Sequence, residues 1–458
     1  MSAPLIWIVI PGLVSIILYF LVKWQRLVTW LGVVVGLGLS IAAWKLPINE
    51  QLTIGPWSFK VIDTLMVFGR RFILTNQDRP ILVIIYILVV FWWLGSLSAK
   101  PGRLFTPLGL GIVSLMVASL AVEPVLFAAL FIEVAILLCI PIICPPGKKP
   151  GRGILRFLTY QTIGVPFILF AGWGLSILEQ NPNSVLLPGQ VMILLAIGFC
   201  FLLAVFPFHT WIPMLAEEAH PYAVGFIYFI IPGIVSLFGL SLINKNVWLR
   251  NSEVVFGILR STGILMVIIG GVWVIFQSHL GRIMGYAVII DLGLSILSVG
   301  VSQEIYLSNP TSTPYLDIFF DLLISRGIIL STWALALSII YTKKNSLDFR
   351  EIHGIIKQLP VTSVCLILAQ FALAGYPLLA GFSARMKLWT QIAQTISSYS
   401  FLAILGCVGL LLSGLRMLFV LVSDDELKTW RIEENNTALT FLIISILLLF
   451  VLGLFLKL

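Results

Sequence analysis

An all-α, polytopic membrane protein is the fold class this sequence predicts, and three observations predict it. Hydrophobic residues make up 59% of the 458 and charged residues 10%, where a soluble domain carries about 25% charged. Apolar runs long enough to cross a ~30 Å hydrocarbon core as helices, roughly 20 residues each, recur from one end of the chain to the other. Unpaired backbone groups are costly in lipid, so continuous runs of this length must be helices rather than the short alternating strands of an outer-membrane barrel.

About fourteen transmembrane helices are expected, near residues 4–22, 27–44, 80–98, 104–121, 124–144, 155–177, 186–206, 222–243, 254–276, 283–301, 316–341, 360–380, 399–421 and 437–456. The first run has no basic start or small-residue cleavage site and continues into Lys23 and Arg26, so it reads as a span rather than a removable signal. Between the second and third runs, residues 45–79 mix β-branched and aromatic side chains with Gly55-Pro56 and Asn76-Gln77-Asp78, which predicts a small hairpin-like cap outside the membrane. The stretch CPPGKKPGRG from Cys144 to Gly153 is a basic, Pro/Gly-broken tether. No strand precedes it and no Gly-Lys-Ser/Thr follows, so it suits lipid headgroups or a partner protein rather than a nucleotide. The last two runs flank a charged loop, SDDELKTWRIEEN. Trp92 and Trp93 in the third run, and Trp44, Trp57, Trp173 and Trp211 near span ends, fit interfacial belts.

Cys139, Cys144, Cys200, Cys365 and Cys407 lie in or beside apolar runs without C-x-x-C spacing, so they read as small core residues, and no metal or disulfide framework is expected. No soluble segment is large enough to hold a nucleotide, flavin or iron–sulfur cluster. The chain is therefore expected to have no cofactor and no catalytic residues of its own, and any redox or ATP chemistry must belong to another polypeptide.

A net charge of +8 could suit nucleic acid, but its distribution points to a membrane surface. With fourteen spans the loops alternate sides. Odd-numbered loops carry Lys23, Arg26, Lys100, Arg103, Lys148, Lys149, Arg152, Arg156, Arg282, Lys343, Lys344, Arg350, Lys357, Arg416, Lys428 and Arg431, whereas even ones carry Lys45, Lys60, Arg70, Arg71, Arg79, Lys245 and Arg250. The positive-inside rule puts the richer set on the cytoplasmic face or its equivalent, and both termini opposite. Lipid and other membrane polypeptides are the expected partners, not nucleic acid.

An ionised side chain in mid-membrane costs at least ~2.5–3.5 kcal/mol, so each one needs a partner, a hydrated cavity or a function. The candidates for a proton path are Glu133 in the fifth run, Asp291 in the tenth, Asp317, Asp321 and Arg326 in the eleventh, and Arg385 and Lys387 after the twelfth. Asp317 and Asp321 are four apart and share a helical face, where like charges disfavour each other. Arg326 lies nine residues after Asp317, too far for easy contact. Arg260, in the ninth run, suits snorkelling. In FPFHTWIP, Pro207 and Pro213 interrupt a helix and free carbonyls, and His209 between them can bind one of those groups or pass a proton near neutral pH. The same stretch suits a helix end capped by a histidine. Pro377 marks a further break.

Four stretches resemble one family. LLAVFPFHTWIPMLAEEAHPYAVGFIYF, EPVLFAALFIEVAILL, HLGRIMGYAVIIDLGLSILSVG and LPVTSVCLILAQFALAGYPLLAGFSAR match, in order and spacing over about residues 100–420, the antiporter-like membrane subunits of respiratory complex I and of Mrp cation/proton antiporters. The resemblance implies two inverted five-helix repeats, each with a broken helix, around a hydrated line of buried glutamate and lysines that relays protons. It implies helices 1–3 with their cap in 1–100, repeats at 101–245 and 246–422, and a charged loop with a last helix at 423–458. It also implies other membrane subunits as partners, within an energy-converting membrane such as a bacterial plasma membrane or thylakoid.

The departures are as informative. The family's lysine in the seventh helix falls on Leu202, and the one in the eighth near Pro232 or Gly233. The histidine and lysine of the eleventh fall near Arg326 and Leu330, and a His-like position in the tenth is Asp291. Glu133 and His209 survive in kind, with Arg385 near the ionisable position after the Gly-Phe pair. An arginine stays protonated and relays poorly, although it can fix a partner's charge. Two functions follow: a proton-translocating-type subunit of a complex I-related NADH:quinone oxidoreductase with a partly degenerate path, or a non-conducting scaffold of such a complex. A subunit of an Mrp-type sodium/proton antiporter is a third. With only Leu203, Ala204 and Val205 after Leu202, a dry gap is expected between Glu133 and His209.

The charge distribution makes a direct prediction. A cysteine placed at Lys149 should resist a membrane-impermeant thiol reagent in intact cells, while one at Gln51 should react; the opposite pattern would invert the orientation.

Overall fold

The computed structural model describes residues 1–54, 57–181, 186–308, 314–423, 430 and 432–455. The Gly55-Pro56 turn, the Trp57 side chain, Lys428 and Arg431 lie outside the described residues. The chain divides into two compact units. Unit 1 comprises Met1–Pro150, Ile154–Leu203 and Ile230–Leu242, and unit 2 comprises Gly151–Gly153, Ala204–Phe229 and Ile243–Leu458.

Unit 1 opens with α1 (Ile10–Phe20), entered through a π-helical turn, and α2 (Gln25–Lys45). The expected cap is strand-built: β1 (Gln51–Ile54) pairs antiparallel with β2 (Trp57–Lys60), and β3 (Thr64–Val67) with β4 (Arg70–Ile73). Then come α3 (Arg79–Ala99), α4 (Phe105–Ala121), β5 (Val122–Glu123), α5 (Leu126–Ile143), α6 (Arg152–Gln180) and α7 (Leu187–Leu202). A capping box between Thr75 and Asp78 and proline in the first turn start α3, where the missing N–H costs nothing. Unit 2 continues through α8 (Trp211–Glu218) into α9 (Pro221–Lys245), whose middle part belongs to unit 1. It then holds α10 (Val247–Arg250), α11 (Glu253–Ile275), α12 (Leu280–Ser308), α13 (Pro314–Lys344), α14 (Pro360–Ala374), α15 (Phe382–Thr395), α16 (Ser397–Val422) and α17 (Asn436–Phe455).

Among the described residues, ten helices are long and apolar enough to cross a membrane, and four shorter apolar helices, Leu5–Phe20, Phe105–Ala121, Leu187–Leu202 and Pro360–Ala374, fall on the remaining runs. Two of these four are short because the backbone breaks where they end. After α7, Ala204 takes a left-handed φ of 54° and a single 3-10 turn, Phe208–Thr210, leads into α8. After α14, Gly375, Leu378 and Gly381 adopt φ of 84°, 71° and 86°, so the Gly-Tyr-Pro-Leu-Leu-Ala-Gly stretch reverses before α15.

The loops sort by parity within each unit, as alternating spans require. In unit 1 the even side gathers: Ser2 bridges Ile62, β5 pairs with β4, and the Arg70 guanidinium lies 3.9 Å over the Phe127 ring. In unit 2 the odd side gathers: Gly153 N–H donates to Glu218 at 2.7 Å, Leu280 N–H to the Leu347 carbonyl at 3.0 Å, and Glu433 N–H to the Gln358 carbonyl at 3.0 Å.

The tryptophan belt is corrected in part. Trp44 and Trp173 are exposed, but Trp92, Trp93 and Trp211 are fully buried. Glycines make the room: a Cβ added at Gly36 on α2 would stand 2.8 Å from the Trp93 ring. Arg260 does not merely snorkel, because Glu253, seven residues earlier on α11, accepts from it.

Helices in unit 2 approach as closely as small residues permit. A Cβ at Gly263 on α11 would lie 2.8 Å from the Gly293 carbonyl of α12, and one at Gly271 would lie 2.6 Å from the Cα of Gly406 on α16. Between apolar helices in lipid such backbone contact replaces the hydrophobic effect as the source of association. Gly271→Val should therefore cost about 1–3 kcal/mol through overpacking, read as a lower melting temperature in detergent. Gly38→Val, at a site open for 4 Å around the added carbon, should leave it within error.

Candidate functional site

Of the proposed proton-path residues, Glu133 lies in unit 1. It sits midway along α5, and Thr162 on α6 donates its hydroxyl to Oε1 at 2.9 Å, while Oε2 has no hydrogen-bond partner among the described residues. The side chain is half-buried, less enclosed than a charge so deep in a span suggests. Thr162 supplies the polar partner that residue spacing on α5 alone does not reveal.

Beside Leu202, where a dry gap is expected, the backbone carries one polar partner. Gln161, fully buried on α6, donates Nε2 to the Leu202 carbonyl at 3.2 Å, and its Oε1 is left without a protein donor. The carbonyl is available because α7 ends there and the following Ala204 leaves the helical region. A scan for ionisable groups passes over an amide; its signal was one Gln inside the apolar run LTYQTIGV. An amide can orient water, but it offers no titratable stop.

In unit 2 the FPFHTWIP stretch places His209 in the 3-10 turn, buried, with its ring stacked 5.6 Å from Phe206 and tilted 6.5 Å from Tyr286. Its Nδ1 has no hydrogen-bond partner among the described residues. Pro207 immediately precedes the turn and Pro213 lies inside α8, where the Tyr228 hydroxyl donates to the Ile212 carbonyl. One carbonyl of this interrupted backbone, that of Ile212, is thus tied by a side chain, as interrupted backbone at membrane depth requires.

Asp291, Arg326 and Arg385 come together although 94 residues separate the first from the last. Arg326 on α13 donates Nε to Asp291 Oδ2 and Nη2 to both the Asp291 carbonyl at 3.3 Å and the Ser295 hydroxyl. Arg385 on α15 donates Nη2 to Asp291 Oδ1 and Nη1 to the Gly381 carbonyl at 3.3 Å. All three side chains are at most 1% exposed. Both carboxylate oxygens are engaged by permanently charged donors, so a proton reaching either must displace a guanidinium.

The other candidates stand apart from this cluster. Lys387 reaches Asp321 at 2.9 Å, forming a half-exposed pair. Asp317 is exposed in the first turn of α13. The two aspartates of α13 therefore do not share a site: one is paired and the other faces out. Pro377 sits in the reversal between α14 and α15, the bend that delivers Arg385.

At the odd-loop face of unit 2, a polar pocket of about 270 Å³ is lined by Glu217, Glu218, His279, Tyr341, Asn345 and Asp348 among others. Arg282 clamps Glu217 with Nε at 2.7 Å and Nη2 at 2.6 Å. Burial pushes the His279 imidazole below its ordinary value; Asp348 and Glu217 push it back up and Arg282 down again.

Residues 170–413 match the family described as NADH:quinone oxidoreductase/Mrp antiporter, TM. NAD(P)H-quinone oxidoreductase chain 4 1 of a Synechococcus strain is 26% identical over 327 residues, covering 65% of this chain and 60% of that protein. NADH-quinone oxidoreductase subunit N of Pelagibacter ubique is 26% identical over 279 residues, covering 57% and 54%. The chain thus spans 54–60% of the length of these relatives. A chain in the Mrp complex of Dietzia superposes with a TM-score of 0.81 at 14% identity, covering 99% of this chain and 94% of that one. A chain of respiratory complex I from Thermus thermophilus gives 0.73 at 18%, covering 99% and 95%. At these identities the likeness is one of fold, and it bears out the polytopic helical architecture.

His279 sets a pH dependence. A pKa lowered on folding means that the unfolded chain binds the proton more readily, so this stability is present above the unfolded value near 6.5 and is lost as pH falls below it. His279→Gln should flatten the fall in melting temperature between about pH 7 and 5. Asp348→Asn, which removes a carboxylate that favours the imidazolium, should steepen it.

Proposed function

We propose that this chain, which belongs to the NADH:quinone oxidoreductase/Mrp antiporter transmembrane family, serves as a proton-translocating-type subunit in the membrane arm of an NAD(P)H–quinone oxidoreductase-like complex. Other membrane polypeptides of the complex are its partners, and any redox chemistry belongs to another polypeptide. The observation that carries the proposal is a carboxyl group deep in a span, Glu133 midway along α5 with Thr162 donating to Oε1, in a chain that also breaks its helices at Gly375–Gly381. Broken helices bearing buried polar groups are the structural mark of membrane transport sites, and they are expensive to maintain without a function.

In this reading Glu133 is the ionisable stop of unit 1. Among the described residues no group donates to its Oε2, so it can take up and release a proton without dismantling an ion pair. Thr162 holds the other oxygen and orients the carboxyl group. Gln161 extends the polar surface to the Leu202 carbonyl, bridging the stretch that the alkyl side chain alone would keep dry.

A second reading, a non-conducting scaffold, is favoured by a separate observation: both oxygens of Asp291 are already occupied by guanidinium groups. A carboxylate so engaged fastens three helices together better than it carries protons.

Glu133→Gln separates the two. The neutral amide relieves the burial of a charge and should leave the assembled complex intact, while proton flux per complex in reconstituted vesicles falls on the order of 100-fold. Unchanged flux per assembled complex would favour the scaffold.

A further inference from the structure

The Asp291 cluster has more positive charge than its protein groups neutralise. Two guanidinium groups, charged at any pH the protein meets, share one carboxylate, and all three side chains are at most 1% exposed. The Lys387–Asp321 pair, which joins the same two helices α15 and α13, is complete in itself, so it adds no counter-charge. The carbonyls of Asp291 and Gly381 accept from the two arginines but contribute only partial charge. The balance at this locus is one unit positive. An uncompensated buried charge is among the costliest features a protein interior can hold.

The backbone raises that potential. Arg385 stands in the first turn of α15, a 14-residue helix whose N-cap is Gly381. The positive end of a helix dipole favours an anion and disfavours a cation, so an arginine there opposes the ordinary preference. The local hydrogen-bond inventory is incomplete in the matching sense. Among the described residues, Arg326 Nη1, Arg385 Nε and the Ser383 hydroxyl, from residues at most 6% exposed, find no hydrogen-bond partner. Buried donors of this kind have partners in nearly all proteins, and a guanidinium N–H can be satisfied only by an acceptor.

We infer that this cluster is a binding site for one small monovalent anion of halide size, held by Arg326 and Arg385 beside Asp291. The anion restores neutrality and accepts from the donors that the protein leaves unused. Its enclosure makes it a resident ion that exchanges slowly, not a transported one. It also explains how two arginines persist where the family resemblance implies titratable residues: the pair is stable as an anion complex, and the resulting lock is closed to cations. The inference is independent of whether unit 1 conducts protons.

The test uses the full chain in detergent or nanodiscs, exchanged between sodium chloride, sodium bromide and sodium gluconate at equal ionic strength. Chloride and bromide should raise the melting temperature relative to gluconate, and Arg326→Gln and Arg385→Gln should abolish that difference. Arg385→Lys, which keeps the charge, should retain part of it. Bromide should give an anomalous scattering peak within hydrogen-bond reach of Arg326 Nη1 or Arg385 Nε in crystals of the unaltered chain. Equal stability in all three salts, or a halide effect that survives both Gln variants, would overturn the site. Should neither Gln variant fold, the bromide peak decides, and its absence from the cluster defeats the proposal.

Discussion

Asp291 shared between two arginines is the constraint around which unit 2 is arranged. Each of the three residues comes from a different helix, α12, α13 and α15, so the cluster ties them at a point where lipid supplies no hydrophobic incentive to pack. Removing the carboxylate would leave two buried cations facing each other, and removing one arginine would leave unmatched acceptors. The neighbouring hydroxyl of Ser295 and the carbonyls of Asp291 and Gly381 are drawn into the same network, so main chain and side chains hold the charges jointly. Lys387 and Asp321, two residues after Arg385 and five before Arg326, repeat the link between α15 and α13 nearer the surface.

The backbone breaks are what make such a network reachable. An uninterrupted helix through residues 360–395 would carry Arg385 along one axis and could not turn it back toward α12. Three left-handed residues within seven positions produce the reversal, and glycine at two of them removes the steric cost. The glycine contacts among α11, α12 and α16 serve the same end by a different route, since they bring backbones close enough for short polar side chains to span the remaining distance.

Much of this was legible in the sequence. The fourteen apolar runs each fall on a helix, and the prolines around His209 and at Pro377 mark where helices stop. Charge parity assigned loops to sides, and the hydrogen bonds between loops within each unit agree with that assignment. The site was only partly readable. Helical spacing along α13 could say that Arg326 was remote from Asp317, but not that Asp291, 35 residues earlier, was its partner, because tertiary packing rather than local geometry decides it. Gln161 carries no charge, so nothing in the ionisable pattern of the sequence marks it. Residue type places Trp92, Trp93 and Trp211 at the interface, yet all three are buried, Trp93 against the glycines Gly32 and Gly36 of α2.

The two units therefore handle charge in opposite ways. Glu133 has one oxygen held by a hydroxyl and one free, an arrangement in which gaining or losing a proton breaks no ion pair. Asp291 has both oxygens claimed by fixed charges, so a change in its protonation would expose two guanidinium groups at once. A proton relay needs neighbouring states of similar energy, and the first arrangement supplies them whereas the second does not. The ionic groups of unit 2 are thus arranged to hold helices together, whereas the carboxyl group of Glu133 in unit 1 stands outside any ion pair.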